Sequence, residues 1–364
     1  MAGLPVGRWV MDRGVTSVRA RRAVPPWARR VGAKLLPSPP VLRQGVHPDP
    51  ADLAIPPLDP HSWPKARQTA FASAELELFR ACLRLPGTPD VRAAVLDDLS
   101  SYSGLPPEEC VERCRNWESW SVEEWLAADR SGTDRFTNFY RTMESWAFDL
   151  LWYAYMQTEG YGYPASVMAL RAIAAKGNGR AHLDFGSGAG VTSQLFARAG
   201  YETTLADIST SLLDFARHRL SRRGEAARFI DLNDEKLETG RYDVITALDT
   251  LVHVPDLADV VAGLHGALRP GGWLVTNFDV RPPSLENALH LYEDDLDLRA
   301  IVHRAGFAPS GRFGQYVVYR RVDPSGTAQR LRVLFEQLVL TSRPRRIIRR
   351  QNRRLAAALR QKAG

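Results

Sequence analysis

The chain has 364 residues, 45% of them hydrophobic and 24% charged, with a formal net charge of +7 and three cysteines, Cys82, Cys110 and Cys114. So few cysteines exclude a disulfide-stapled scaffold and fit a reducing, cytoplasmic setting. No apolar run approaches the ~18 residues of a membrane-spanning helix, and the N-terminus lacks the apolar stretch of a secretory signal. The charge is concentrated at the ends: residues 341–364 net +9 and residues 1–34 net +7, so the body, 35–340, nets −9. An acidic body with basic ends is not a nucleic-acid binder with a continuous basic face.

Residues 1–64 hold twelve of the 24 prolines, and their apolar residues have no period. Proline removes donors and blocks helix propagation, so a disordered or surface-wrapping leader is expected. Its arginine-rich, acid-poor composition is shared with organellar transit peptides, but the serine enrichment of those is missing.

Residues 65–175 read as a helical block. Thr88-Pro89-Asp90 is expected to cap one helix, with Thr88 as N-cap and proline in the first position, and Pro106-Pro107-Glu108-Glu109 to open another. Ser121-Val122-Glu123-Glu124 has capping-box spacing. Phe136, Phe139, Tyr140, Met143, Ala147 and Leu150/Leu151 recur at intervals of three and four and mark one helix face. Residues 100–165 hold 14 of the 33 aromatic residues. They serve packing, or wall a pocket for an apolar or aromatic molecule beneath a lid.

From 176 to 323 short apolar runs alternate with amphipathic helices, the pattern of a doubly wound, mostly parallel α/β sheet. The strands expected are His182–Phe185, Thr203–Ala206, Arg228–Ile230, Tyr242–Ala247, Gly272–Asn277 and Gln315–Tyr319. Ser193–Ala199, Thr210–Arg222 and Leu257–Leu268 are the intervening helices. Nearly continuous apolar strands imply helices on both faces. Residues 324–364 read as a basic helical extension broken at Pro344. After it, arginine pairs at 345/346, 349/350 and 353/354 keep a four-residue interval and share a helix face.

The chemistry centres on Leu183-Asp184-Phe185-Gly186-Ser187-Gly188-Ala189-Gly190, which follows a strand and precedes a helix. Glycines let the backbone turn sharply and let a ligand approach the amides at the helix N-terminus. A dinucleotide fingerprint would place its third glycine where Val191 stands, and Asp184 would face a pyrophosphate unfavourably. Asp207 ends the next strand, 21 residues after Gly186, where a carboxylate can bond both ribose hydroxyls. The combination describes an adenosine ligand with a cationic amino-acid end and no phosphate, S-adenosylmethionine.

These residues resemble the class I, Rossmann-like S-adenosylmethionine-dependent methyltransferases, particularly the small-molecule branch of the ubiquinone and menaquinone enzymes. The glycine loop resembles their first motif, and Thr204-Leu205-Ala206-Asp207-Ile208-Ser209 the acidic motif of the second strand. Phe229-Ile230-Asp231-Leu232 is similar to the end of their third strand. Tyr242 to Asp249 with Val252-His253-Val254-Pro255-Asp256 is similar to their fourth-strand motif, with Val252 where an acid is usual. Leu268-Arg269-Pro270-Gly271-Gly272-Trp273-Leu274-Val275 resembles the turn into the fifth strand. The resemblance implies a seven-stranded sheet and an enzyme that converts S-adenosylmethionine to S-adenosylhomocysteine. By it, Asp184, Gly186, Ser187, Gly188 and Gly190 hold the methionine part, Asp207 the ribose, Asp231 and Leu232 the adenine, Ile208 is a further cofactor contact, and Ala247 or Leu248 contacts the cofactor through its backbone.

The acceptor is expected to be a small, partly apolar metabolite methylated at oxygen or carbon. His253 and His290 are the candidate catalytic residues: the neutral imidazole of His253 can serve as a general base near pH 7, and His290 is expected at the acceptor site. Tyr161, Tyr163, Asp279 and Tyr292 are candidate substrate contacts. No metal is expected: Cys110 and Cys114 lie one helical turn apart with no further ligand nearby, and Asp294, Asp295 and Asp297 read as a helix start. A homodimer is compatible with the sequence. Contact of residues 343–362 with nucleic acid or an anionic membrane is a secondary expectation. Three rival readings are an RNA or protein methyltransferase docking through its basic ends, a non-catalytic cofactor-binding scaffold, and other chemistry on the same fold.

Overall fold

The computed structural model describes residues 49–52, 65–88, 90–128, 135–177, 179–281, 290–292 and 294–340. The leader, apart from the turn Pro50–Asp52 and Asp49 before it, and the basic segment 343–362 lie outside these residues. Asp49 is buried and accepts from Arg92 Nε at 2.9 Å.

Among the described residues eight helices precede the sheet: α1 Lys65–Phe71, α2 Ala74–Leu83, α3 Val91–Ser103, α4 Pro107–Arg115, α5 Trp117–Ala127, α6 Arg135–Thr142, α7 Ser145–Thr158 and α8 Ala165–Ala174. Two caps differ from expectation. Helix α3 is capped by Asp90, whose side chain accepts from Arg92 N, and not by Thr88. The proposed capping box lies inside α5, which starts four residues earlier at Trp117. There Ser121 Oγ accepts from Trp146 Nε1 (3.1 Å), and the Glu124 carboxylate takes the amides of Glu144 and Ser145. The acid thus caps the neighbouring helix α7, whose first-turn donors lack intrahelical partners.

The sheet contains β1 Ala181–Phe185, β2 Glu202–Asp207, β3 Arg228–Asp231, β4 Tyr242–Ala247, β5 Leu268–Thr276, β6 Phe307–Phe313 and β7 Tyr316–Arg321. The helices between and after them are α9 Val191–Arg198, α10 Thr210–Ser221, α11 Leu257–Ala267, α12 Asp295–Arg304 and α13 Thr327–Leu340. The strand order is β3-β2-β1-β4-β5-β7-β6. β1 to β5 are parallel, and β7 joins antiparallel to both β5 and β6. The order reverses between β1 and β4, which opens a crevice at their carboxyl ends.

The sheet separates two apolar cores. Val244, Val275 and Val318 face the N-terminal helices and share a core with Phe148, Leu151 and Trp152 of α7. Ile245, Leu274 and Val317, one residue away on the same strands, face α11 and α12 with Leu257, Val261, Leu264 and Leu298. Adjacent strand residues point to opposite faces, so the unbroken apolar runs follow directly from burial on both sides. The helical block forms much of one covering layer and reaches the crevice.

A charged network ties that block to the sheet's helices. The Asp98 carboxylate of α3 meets Arg219 Nε at 3.4 Å, Arg222 Nη1 at 2.9 Å and Arg223 Nη2 at 2.7 Å. Asp98 and Arg219 are fully buried. Arg219 also donates to the Ala189 carbonyl at 2.5 Å, inside the glycine loop.

Candidate active site at the carboxyl edge of the sheet

Glycines 186, 188 and 190 adopt φ of +70°, +51° and +74°, in the left-handed region that side chains with a Cβ rarely enter. Space is closed there as well. A Cβ at Gly186 would collide with the Thr250 side chain after β4, and one at Gly188 would lie 2.6 Å from Leu150 Cδ1 of α7. The loop is therefore pressed between β4's exit and the helical block.

Asp184 is buried under the loop. Its Oδ2 accepts from Ser193 N (3.1 Å) and Ser193 Oγ (2.9 Å), and its Oδ1 from Thr246 Oγ1 (2.7 Å). All these donors are neutral, so burial raises its pKa to about 7 despite them. Beyond Thr246 lies His182, 2.9 Å away through Nε2. Because Thr246 donates to Asp184, its oxygen accepts from His182. Burial lowers that imidazole's pKa to about 3 and keeps it neutral.

Asp207, at the end of β2, is buried. One oxygen accepts from Gly188 N and the other from Ser209 N, both at 2.9 Å. Burial raises its pKa, and the backbone bonds resist the rise. Leu232 N donates to the Asp207 carbonyl (2.9 Å), and Asn233 Nδ2 to that of Ile208 (2.8 Å), so Ile208 and Leu232 flank the β2–β3 edge. Asp231 accepts from Thr210 Oγ1 (2.8 Å) and Asn233 N (2.9 Å). Burial pushes its carboxyl up, but these bonds outweigh it and hold the pKa below the usual value.

Two buried hydroxyls among these groups have no hydrogen-bond partner, Ser187 Oγ in the loop and Tyr140 OH from α6. Burial and the nearby Asp207 charge raise the Tyr140 pKa, so it remains a donor. Together with the loop's three glycines, which lack a Cβ, and the Asp207 carboxylate, they fit a ligand carrying both acceptors and hydroxyls, as S-adenosylmethionine does. Tyr140 was legible in the sequence only as one residue of an apolar helix face.

From Tyr140 an aromatic row runs along the rim. Its ring lies 5.2 Å from Trp146, Trp146 lies 5.8 Å from His253, and His253 lies 4.7 Å from His290. The structure thus brings together His253, from the turn Leu251–His253, and His290, which is far away in sequence. His290 Nδ1 is 2.9 Å from the Asp279 carbonyl. A carbonyl only accepts, so Nδ1 carries the proton and Nε2 has a free lone pair. Burial, then the neighbouring Arg281, lowers the His290 pKa, and Asp279 opposes the fall. The Asp279 carboxylate accepts from Arg281 Nε at 2.8 Å. Tyr292 OH donates to the carbonyls of Val254 (2.7 Å) and Pro255 (2.9 Å), pinning the loop that carries His253.

Tyr163 lies apart from this row. It stacks on Tyr316 of β7 (5.7 Å, 13° between planes) and covers Gly314. Tyr161 is half-buried against the same apolar core. Tyr316 OH donates to Asp249 Oδ2 at 2.9 Å, and Asn277 Nδ2 donates to Asp249 Oδ1. Asp249 has φ of +53°, the only non-glycine residue in the left-handed region among those described. Asn277 Oδ1 accepts its amide at 2.7 Å, so one side chain clamps both backbone and carboxylate. Leu248, before it, is half-buried, and its carbonyl accepts from Thr250 Oγ1 at 3.0 Å.

Among the described residues no cluster of three or more His, Cys, Asp or Glu could hold a metal ion. Cys110 and Cys114 are buried packing residues with raised thiol pKa values.

Residues 183–274 match the family described as "Methyltransferase domain". The ubiquinone biosynthesis O-methyltransferase of Bordetella avium is 30% identical over 172 residues, spanning 42% of this chain and 71% of that protein. Its counterpart in Aromatoleum aromaticum is 35% identical over 97 residues, 26% of this chain and 42% of that one. Among solved structures, the Burkholderia thailandensis 1,6-didemethyltoxoflavin-N1-methyltransferase, with its substrate and S-adenosylhomocysteine bound, is similar at 22% identity and a TM-score of 0.35. It covers 44% of this chain and 77% of that one.

Proposed function

Because the chain belongs to the class I S-adenosylmethionine-dependent methyltransferases, we propose that it methylates a small, partly apolar or aromatic metabolite at oxygen or carbon, with His253 and His290 handling the acceptor's proton. S-adenosylmethionine, when bound, supplies a methyl group made electrophilic by its sulfonium. The chain's task is to align the acceptor, exclude water and accept a proton.

The loop from Gly186 to Gly190, with Asp184 beneath it, holds the methionine end. Asp207 and Ile208 hold the ribose, Asp231 and Leu232 face the adenine, and the Leu248 backbone borders the sulfur. Tyr140 adds a donor near the ribose. Trp146 roofs the acceptor and keeps it dry. His290, its Nδ1–H fixed on the Asp279 carbonyl, keeps the lone pair of Nε2 available, and its ring lies 4.7 Å from that of His253. The similarity to enzymes named for O-methylation supports oxygen as the methylated atom.

The observation carrying this reading is the His253–His290 pair at the rim beneath Trp146. It is tested by incubating the enzyme with a metabolite extract and methyl-labelled S-adenosylmethionine and following products by mass spectrometry. One labelled methyl should appear on a small apolar product. On that substrate His290→Gln should lower kcat by roughly 10²–10⁴-fold, the usual contribution of a general base, with affinity for S-adenosylhomocysteine retained. Unchanged kcat removes His290 from the chemistry. Label found only in RNA or protein overturns the small-molecule reading.

A further inference from the structure

Helix α13 comes after the last strand and carries an apolar face that stands open in the described structure. Leu331, Leu334, Phe335 and Leu338 are 61%, 54%, 68% and 64% exposed. Their spacing of three, four and seven places them on one stripe. Elsewhere among the described residues the exposed large apolar side chains are Tyr102 and Leu126, standing apart. Single exposed apolar residues are ordinary, whereas a contiguous stripe on a helix marks a contact surface. The helix is anchored from another side: Gln329 is buried and Nε2 donates to the carbonyls of His303 and Phe307.

The sequence C-terminal to the stripe identifies the partner. Residues 341–364 carry Arg343, Arg345, Arg346, Arg349, Arg350, Arg353, Arg354, Arg360 and Lys362 and no acid, with Ile347, Ile348, Leu355 and Leu359 interspersed. An apolar helix face continued by a dense run of cations matches the two forces of an anionic bilayer surface, burial of apolar area among the acyl chains and attraction to the headgroups. The acidic body, net −9 over residues 35–340, is repelled from such a surface, so attraction falls to the two basic ends, and among the described residues the exposed apolar stripe adjoins the C-terminal one. A second copy is a poorer partner, since a two-fold contact through α13 would bring two basic segments of like charge together.

We infer that α13, through Leu331, Leu334, Phe335 and Leu338, and the basic segment after it dock the protein on an anionic lipid surface. The docking stands independently of the acceptor's identity. No described helix is long and apolar enough to cross a membrane.

The test is flotation of the full chain with vesicles of phosphatidylcholine alone or of equal parts phosphatidylcholine and phosphatidylglycerol, with light scattering of the protein in solution. The parent should float with the mixed vesicles and not with phosphatidylcholine alone, and added salt should weaken the binding. Leu334→Glu with Phe335→Glu, both exposed, should cut flotation by about tenfold or more, since it removes two anchors and adds two repelled charges. Thermal unfolding and S-adenosylhomocysteine affinity of this variant should match the parent. Three results overturn the proposal: no flotation with mixed vesicles, flotation unaffected by the double substitution, or a parent dimer that the substitution splits. The last would make the stripe a subunit interface.

Discussion

Asp207→Ala removes a carboxylate that serves both the loop and the proposed ribose contact. Its oxygens take the amides of Gly188 and Ser209, each at 2.9 Å, so alanine strips both bonds at once. A hydrogen bond to a charged acceptor contributes about 1.5–3 kcal/mol. The ribose hydroxyls lose an acceptor of the same kind, so one such term alone weakens cofactor binding by roughly ten- to a hundredfold. Asp207→Asn keeps one acceptor oxygen but turns an amide donor toward Gly188 N or Ser209 N, and should fall between parent and alanine. Because burial already raises the Asp207 pKa, removing the charge relieves a desolvation cost. The unliganded melting temperature should therefore move less than the affinity does. Titration calorimetry with S-adenosylhomocysteine, beside thermal unfolding of the free protein, measures both. An alanine variant that binds within twofold of the parent refutes the ribose assignment.

The Asp184 pKa, raised to about 7 by burial, has a consequence of definite sign. As pH rises from the ordinary aspartate range toward 7, the unfolded chain gives up this proton before the folded one. This group's contribution to stability therefore falls across that window. A cationic amino-acid group nearby favours the carboxylate, so ligand binding near pH 6.5 should release a proton. The calorimetric enthalpy would then depend on the buffer's ionisation enthalpy, and Asp184→Asn should abolish the dependence. Asp98→Ala leaves the buried guanidiniums of Arg219 and Arg223 without their carboxylate. Breaking a buried pair in this way costs about 3–5 kcal/mol, a fall in melting temperature on the order of 10 °C; a shift below about 2 °C would show the network to be dispensable. Gly186→Ala places a Cβ against Thr250 at φ +70° and should weaken S-adenosylhomocysteine binding more than tenfold by calorimetry, the strain alone being about 1–2 kcal/mol.

The parallel strands and the glycine loop were legible because each leaves a local trace: unbroken apolar runs for strands buried on both faces, and glycines where φ is positive. β6 left no such trace. Phe307–Phe313 contains Pro309 and Gly311, its register shifts between them, and it lies at the sheet edge with its middle exposed. An edge strand tolerates proline and needs little apolar alternation, so the usual signals are absent. The Ser121–Glu124 spacing misled for another reason. Helix α5 begins before it, and Glu124 caps a helix twenty residues on, a tertiary choice that no local pattern encodes. At the site, the acids at the strand ends were visible in sequence. Tyr140 and Trp146 were not, because an aromatic residue on a helix face reads the same whether it fills a core or roofs a crevice. The meeting of His253 with His290 depends on how the segment after β5 returns to the rim, which spacing alone does not disclose.

Arg219 joins Asp98 of the helical block to the Ala189 carbonyl of the glycine loop. This bears on any attempt to treat the enzyme as interchangeable parts. The catalytic sheet excised alone would keep Arg219 and its bond to Ala189 but lose the Asp98 carboxylate that holds the guanidinium in place. A foreign N-terminal segment grafted onto the sheet would need an acid at the position of Asp98 to hold Arg219. The helical segment and the glycine loop must be engineered as a single piece.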